Sequence, residues 1–592
     1  MTTATRIIGT FPHIPQEPST QPPRYEIFLA PMQKTSVFSL LLMTLMLPDR
    51  ATAVVTGERR AVVFYTAETH GTLEPCGCTS DPLGDFARVS ALVRGAGGHA
   101  ALLVDAGSLA YPITATSEKK QPAAELRAEF LAHEIAKLPF GGAALGDGDL
   151  ERGPASVAPK RLAVNLAQAP FIEPSRIATV GAIKIGILGI VDPTVAAKAG
   201  LSAQDPTVAA QQEVARLRAA GAEVIVLLAP VERQLARNLA RTTGADFVIV
   251  GKNVGQGMAR AERVGSAGVG SAGIGMAGIG SAFVVAPAEE LQRVGRLDIV
   301  LRSKGPRLAN EMLVDAGGAT QTKDRVVELD RLLERAEADL VRWQKDASSD
   351  PAFLAGKVRE RDELRDERAS LGNGQWKAPA SGSYFTNALI PIRRVLPRDP
   401  TLSASMHKLD RAIGAANLRA AEPPVAAEPG RASYVGDDKC VSCHKPAARF
   451  WKRTVHAQAW KTLVEVGKEA HDDCGSCHVT GYGEIGGTSL GYTKGLQDIQ
   501  CEVCHGPGSI HIEKRGKESP FAGRLKTPES VCVRCHNEKH SDTFQYQAYL
   551  RDVIGPGHGE DARDELGAGP TGKSLRHAAQ VRARANASKR AP

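Results

Sequence analysis

The sequence predicts a multidomain chain: an α/β domain, then a helical hairpin, then a mainly α domain. Three observations predict it. Short apolar runs alternate with amphipathic stretches from about residue 58 to 302. Residues 322–371 turn charged and helically periodic, and the pattern C-x-x-C-H then occurs four times within residues 440–536. At 592 residues the chain is also too long for one core, and two to four domains are expected.

Residues 1–31 are polar and proline-rich and read as a non-native or disordered leader. From Met32 the chain reads MQKTSVFSLLLMTLMLPDRATA, with Lys34, a largely apolar run from Val37 to Leu47, and small residues at Ala51 and Ala53. That is the layout of a secretory signal peptide over residues 32–53, with translation starting at Met32 and cleavage after Ala53. The alternative is a buried core helix behind a loose tail. The apolar run is too short to span a bilayer, and no other segment approaches that length. The expectation is therefore a soluble, exported, periplasmic protein.

In the α/β domain (58–302) the apolar runs are AVVFYT (61–66), ALLVD (101–105), KIGILGIV (184–191), EVIVLLA (223–229) and DFVIV (246–250), and GRLDIVL (295–301) reads as a closing strand. ARVSALVRGA (87–96) and TVAAQQEVARLRAA (207–220) are helical between them. Such alternation argues a largely buried sheet. The glycine repeat at 264–282 reads as a flexible loop; no lysine follows it as a phosphate loop would need.

Residues 322–371 read as a helical hairpin broken at SSDPAF, serving as a spacer or a homodimer surface, or simply as a solvated helix pair. A strand-helix extension covers 381–420, and AAEPPVAAEPGRAS forms a Pro/Ala linker over 421–433. The motif-bearing domain is expected over 434–545, followed by a disordered basic tail over 558–592.

The motifs are Cys440-Val-Ser-Cys443-His444, Cys474-Gly-Ser-Cys477-His478, Cys501-Glu-Val-Cys504-His505 and Cys532-Val-Arg-Cys535-His536. Paired C-x-x-C units suit tetrahedral zinc or redox thiols, but neither needs a histidine directly after the second cysteine. Histidine is 15 of 592 residues, so four such histidines by chance is about one in a few million. C-x-x-C-H is the attachment pattern of c-type haem. Two cysteines three apart reach the vinyl groups along one porphyrin edge, and the next residue swings its imidazole beneath the iron. Four covalent c-type haems are expected, with His444, His478, His505 and His536 as proximal iron ligands.

The net charge of +8 does not imply nucleic acid. The basic residues are scattered, no basic-aromatic array exists, and four haems would add roughly eight propionates. The basic tail leaves a membrane-peripheral contact as an option.

The strings YVGDDKCVSCH, WKRTVHAQAW, DCGSCHVTGYG and IQCEVCHGPGSIH resemble the tetrahaem cytochrome c family of ammonia oxidisers over about residues 434–540. The resemblance implies electron transfer between redox partner proteins; in that family the electrons come from hydroxylamine oxidation. It also implies distal histidines where His456 and His511 stand. His540, His407 and His558 rank behind them, and His471 is expected to be solvated. One haem of the family lacks a distal ligand, which points here to the haem on Cys474 and Cys477. An open iron site would instead suit a redox enzyme acting on a small nitrogen or oxygen species.

VVFYTAETHGTLEPCGC, GDFARVSALVR, ALLVDAGS and IGILGIVDP are laid out like the 5′-nucleotidase branch of metallophosphoesterases. That family holds two metals with D-x-H, G-D, G-N-H-E/D, a lone histidine and G-H-x-H. Here Glu68-Thr69-His70 replaces the first and Ser108 the second aspartate. GDGD (146–149), Ala229-Pro230 and Gly251-Lys252-Asn253-Val254 replace the rest. A bridged metal pair needs most of those ligands together, so the fold is expected to persist without the phosphatase chemistry. An active phosphoesterase is the least favoured alternative. Cys76 and Cys78 are the two cysteines outside the haem motifs. With His70 they would hold one zinc or copper ion, or they would form a labile disulfide.

Overall fold

The computed structural model describes residues 57–588 apart from 76–78, 97–99, 112–120, 152–159, 167–171, 266–281, 303–312, 317–321, 346–350, 371–378, 380, 519–526 and 538–539. The signal segment, Cys76 and Cys78, and most of the glycine repeat thus lie outside the described residues.

Two sheets stack face to face. One has eight strands in the order Val314–Asp315, Tyr384–Pro391, Arg293–Leu301, Arg59–Thr66, Ala101–Asp105, Phe140–Ala144, Arg161–Leu162, Ile172–Glu173. The other has six, in the order Glu262–Val264, Ala282–Val285, Phe247–Val250, Val224–Ala229, Ile183–Gly189, Ser175–Val180. Strand Arg59–Thr66 shows why this stacks. Ala61, Val63 and Tyr65 enter the core between the sheets, while Val62 and Phe64 face a second core under helices Phe86–Arg94, Gln121–Ile135 and Pro400–Arg419. A strand apolar on both faces must be covered on both.

The α/β domain does not end at 302. Tyr384–Pro391 pairs antiparallel with Arg293–Leu301 along its whole length, and Met406, Leu409 and Ile413 of the following helix pack beneath the sheet. The strand-helix extension is therefore part of the domain. The helices Thr322–Lys345 and Pro351–Ser370 are an insertion into it, held to each other by Arg365–Glu337 (2.7 Å) and Arg368–Asp330 (2.6 Å). The first of these helices also docks on the motif-bearing domain, where Arg335 donates to the Asp542 carbonyl at 2.7 Å.

Over its described residues the basic tail is largely helical rather than disordered. Short helix Glu560–Asp564 precedes helix Gly572–Ser588. The latter buries Ala579, and Asp552 accepts from the Lys573 N–H at 2.7 Å near its start. Charge density suggested a solvated tail, but the spacing of Leu575, Ala579 and neighbours gives one face enough apolar surface to dock. Among the described residues no helix is long and apolar enough to cross a membrane.

Candidate functional site: a histidine-lined cavity

From Tyr434 onward the chain folds into short helices and turns with few buried apolar side chains, among them Ala448, Leu463, Val479, Ile499 and Ala548. What they enclose instead is a cavity of about 2940 Å³, bordered by all four C-x-x-C-H motifs. That is roughly three times the upper end of ordinary small-molecule pockets at ~1,000 Å³.

Each motif forms about one helical turn. His444 N–H donates to Cys440 O at 3.0 Å and His536 N–H to Cys532 O at 2.8 Å; Cys501–His505 is a helix outright. One turn puts residues three and four apart on the same face, so both thiols and the imidazole point into the cavity together. None of the eight thiols is in a disulfide.

Buried carboxylate Glu502, inside the third motif, accepts from Val435 N (3.0 Å), Gly436 N (2.8 Å) and Gly508 N (2.7 Å). It ties the approach to the first motif onto the third. Gln500 repeats the device on Asp437 N at 2.8 Å. The sequence reading assigned no role to either; a Glu within a haem motif is the signal that was available.

Three of the four motif histidines face a second histidine. Ring centres lie 6.2 Å apart for His444 and His511, 6.1 Å for His536 and His456, and 6.4 Å for His505 and His558. Two imidazoles on opposite sides of one metal, each with a bond of about 2.0–2.1 Å and about 1.1 Å from nitrogen to ring centre, stand about 6.2 Å apart. The residues therefore fit three irons held between paired imidazoles. Second partners aim the rings. Nδ1 donates to a backbone carbonyl in His478 (Ala459, 2.6 Å) and His511 (Glu518, 2.6 Å); in His558 it sits against Gly555, 3.1 Å from the carbonyl and 3.3 Å from the N–H. In His536 it donates to the Ser541 hydroxyl at 3.1 Å, which passes its own proton toward Tyr549. In His478 and His511 the carbonyl can only accept, so Nδ1 carries the hydrogen and Nε2 is left to bind metal. Burial pushes the pKa of His505 and His536 down to about 4, and that of His456 down as well. They are neutral at pH 7, as a metal ligand must be.

His456 and His511 each face a motif histidine, and His558, ranked behind them from the sequence, does so as well. Among the described residues no aromatic ring faces His478. His540 and His407 face none of the motif rings. His471 is not solvated: it is 4% exposed, with Nε2 3.2 Å from the Asp410 carbonyl.

His70 borders the same cavity from the α/β domain. At the carboxyl ends of the strands nearby, Glu68 accepts from Asn253 N (3.1 Å) and Val254 N (2.9 Å), and Lys252 pairs with Asp147 at 2.8 Å. Asp149 is fully buried against Arg161 at 3.0 Å. Among the described residues no group of three or more His, Cys, Asp or Glu is arranged to hold a metal ion.

Residues 439–506 match the family model described as cytochrome c554 and c-prime. Cytochrome c-554 of Nitrosomonas europaea is 35% identical over 136 residues, which is 18% of this chain and 58% of that protein. The chain thus spans little more than half the length of the curated relative it matches. The solved structure of reduced cytochrome c554 from Nitrosomonas europaea is 26% identical, covering 23% of this chain and 79% of that one at a TM-score of 0.15. The 5′-nucleotidase precursor of Thermus thermophilus is 16% identical, covering 60% and 59% of the two chains at a TM-score of 0.38. The chain therefore carries, behind its α/β region, a C-terminal region similar to cytochrome c554 with motifs for c-type haem.

Proposed function

We propose that the protein is an exported electron carrier with four covalent c-type haems. The carrying observation is the set of three imidazole pairs 6.1–6.4 Å apart inside one cavity bordered by four attachment motifs. His444 with His511, His536 with His456, and His505 with His558 would hold three irons between paired imidazoles, an arrangement suited to one-electron transfer. Haem supplies the redox chemistry; the chain supplies the thioether anchors, the neutral imidazoles and the carbonyls that orient them. The test is intact mass after expression with haem-attachment machinery. Four haem additions per chain are expected, and their loss one by one when Cys443, Cys477, Cys504 and Cys535 are changed to Ala.

A second reading has its own observation. His478 has no facing ring among the described residues, which favours an open iron position and a redox reaction on a small nitrogen or oxygen species there. The α/β domain serves as a degenerate phosphoesterase fold that no longer hydrolyses phosphate. Lys252, paired with Asp147, supports this, because an ammonium would occupy charge that a metal requires. Zinc or copper on His70, Cys76 and Cys78 remains part of the proposal and is tested by metal analysis of the C76S/C78S variant. The donor and acceptor are redox proteins meeting the haem domain. The hairpin at 322–371 as a dimer surface is tested by sedimentation.

A further inference from the structure

The segment just ahead of the second motif, residues 468–473, is bound almost residue by residue to the α/β domain. Lys468 Nζ lies 3.0 Å from Glu74, which also takes Arg398 at 2.5 Å. Asn417 donates to the Ala470 carbonyl at 2.9 Å. His471 meets the Asp410 carbonyl at 3.2 Å, and Asp473 takes Arg127 at 3.3 Å. The bonds come from three separate parts of the α/β domain: the loop after its first strand, helix Gln121–Ile135 and helix Pro400–Arg419. The same three parts border the cavity through Glu74, Arg127, Asp410 and Asn417, and Leu73, Ala123, Leu409 and Ile413 back them as a buried apolar layer. A charged rim backed by an apolar layer is the build of a cover that admits small uncharged molecules and turns away ions.

We propose that the α/β domain closes the cavity over the second motif and governs the access of small uncharged diatomic ligands to the iron held by His478. This rests on the reading that this iron keeps an open position. It gives the α/β domain a use that needs no metal of its own, and it explains why the clamp gathers ahead of the second motif.

The probe is carbon monoxide, rebinding after flash photolysis to the fully reduced, haem-loaded full-length protein. Lys468→Ala removes the ammonium shared by Glu74 and Asp410 and opens the rim; the bimolecular rate should rise at least threefold. Thr72→Trp, at a half-buried position of the loop that carries Glu74, adds bulk on the cavity side and should slow it at least threefold. Arg241→Ala, on the far side of the α/β domain, should leave it unchanged, and haem content reports whether each variant has folded. Unchanged rates in both Lys468→Ala and Thr72→Trp, with carbon monoxide still binding, would overturn the cover while leaving the open iron intact. No binding in the unmodified protein would overturn the open iron and the cover with it.

Discussion

The rings of His505 and His558 face each other with centres 6.4 Å apart, and the Nδ1 of His558 is tied to the Gly555 backbone, 3.1 Å from its carbonyl and 3.3 Å from its N–H. The distance matches two ligands on one iron, and the tie presents Nε2 to it.

His558→Ala should therefore open the iron at His505 without detaching its haem. The reduced variant is expected to bind one more carbon monoxide per chain than the unmodified protein, and the oxidised variant to gain a high-spin signal in electron paramagnetic resonance. An unchanged spectrum would mean another side chain is the ligand.

Glu502→Ala leaves buried N–H groups of Val435, Gly436 and Gly508 without their acceptor. Each costs about 1–3 kcal/mol, so a loss of several kcal/mol is expected. Glu502→Gln keeps an acceptor oxygen and should lose less. Thermal unfolding monitored at the haem band reads the difference, and haem loss in the alanine variant should begin at Cys440 and Cys443.

Burial pushes the carboxyl of Asp105 up to about 7, although Thr66 Oγ1 (2.7 Å) and Gly107 N (2.9 Å) donate to it. The folded pKa lies above the unfolded value of about 4, so between these values the folded state holds more protons. Stability from this group is present below pH ~4 and is lost as pH rises to ~7, on the order of 4 kcal/mol in all. Urea midpoints at pH 5 and pH 8 should differ more in the unmodified protein than in Asp105→Asn. Equal slopes would contradict the assignment.

Export and the loss of hydrolysis are checked together on protein secreted from the full-length gene. Its first residue should be Val54, and phosphodiester hydrolysis with added manganese should stay at the blank rate. A start at Met1 or metal-dependent turnover would contradict the reading.

The haem motifs were legible because their chemistry is local: five residues carry thiols and ligand together. Their partners were legible only in part. His456 and His511 sit in strings that resemble a known family, whereas His558 lies past them in a stretch whose charge suggested disorder. His471 read as solvated because what buries it, Asp410, is remote in sequence. Strand Tyr384–Pro391 could be read, but not its pairing across an inserted hairpin. Strand Phe140–Ala144, FGGAA, was missed because glycine and alanine give no strand signal; it forms because Leu103 and Leu162 flank it.

Four haems, with three irons closed by histidine pairs and one open at His478, make a single countable arrangement. The measurement is the number of carbon monoxide molecules bound per chain by the fully reduced protein, set against the haem count from the pyridine haemochrome. Four haems and one carbon monoxide are expected. No carbon monoxide, more than one, or fewer than four haems would contradict it.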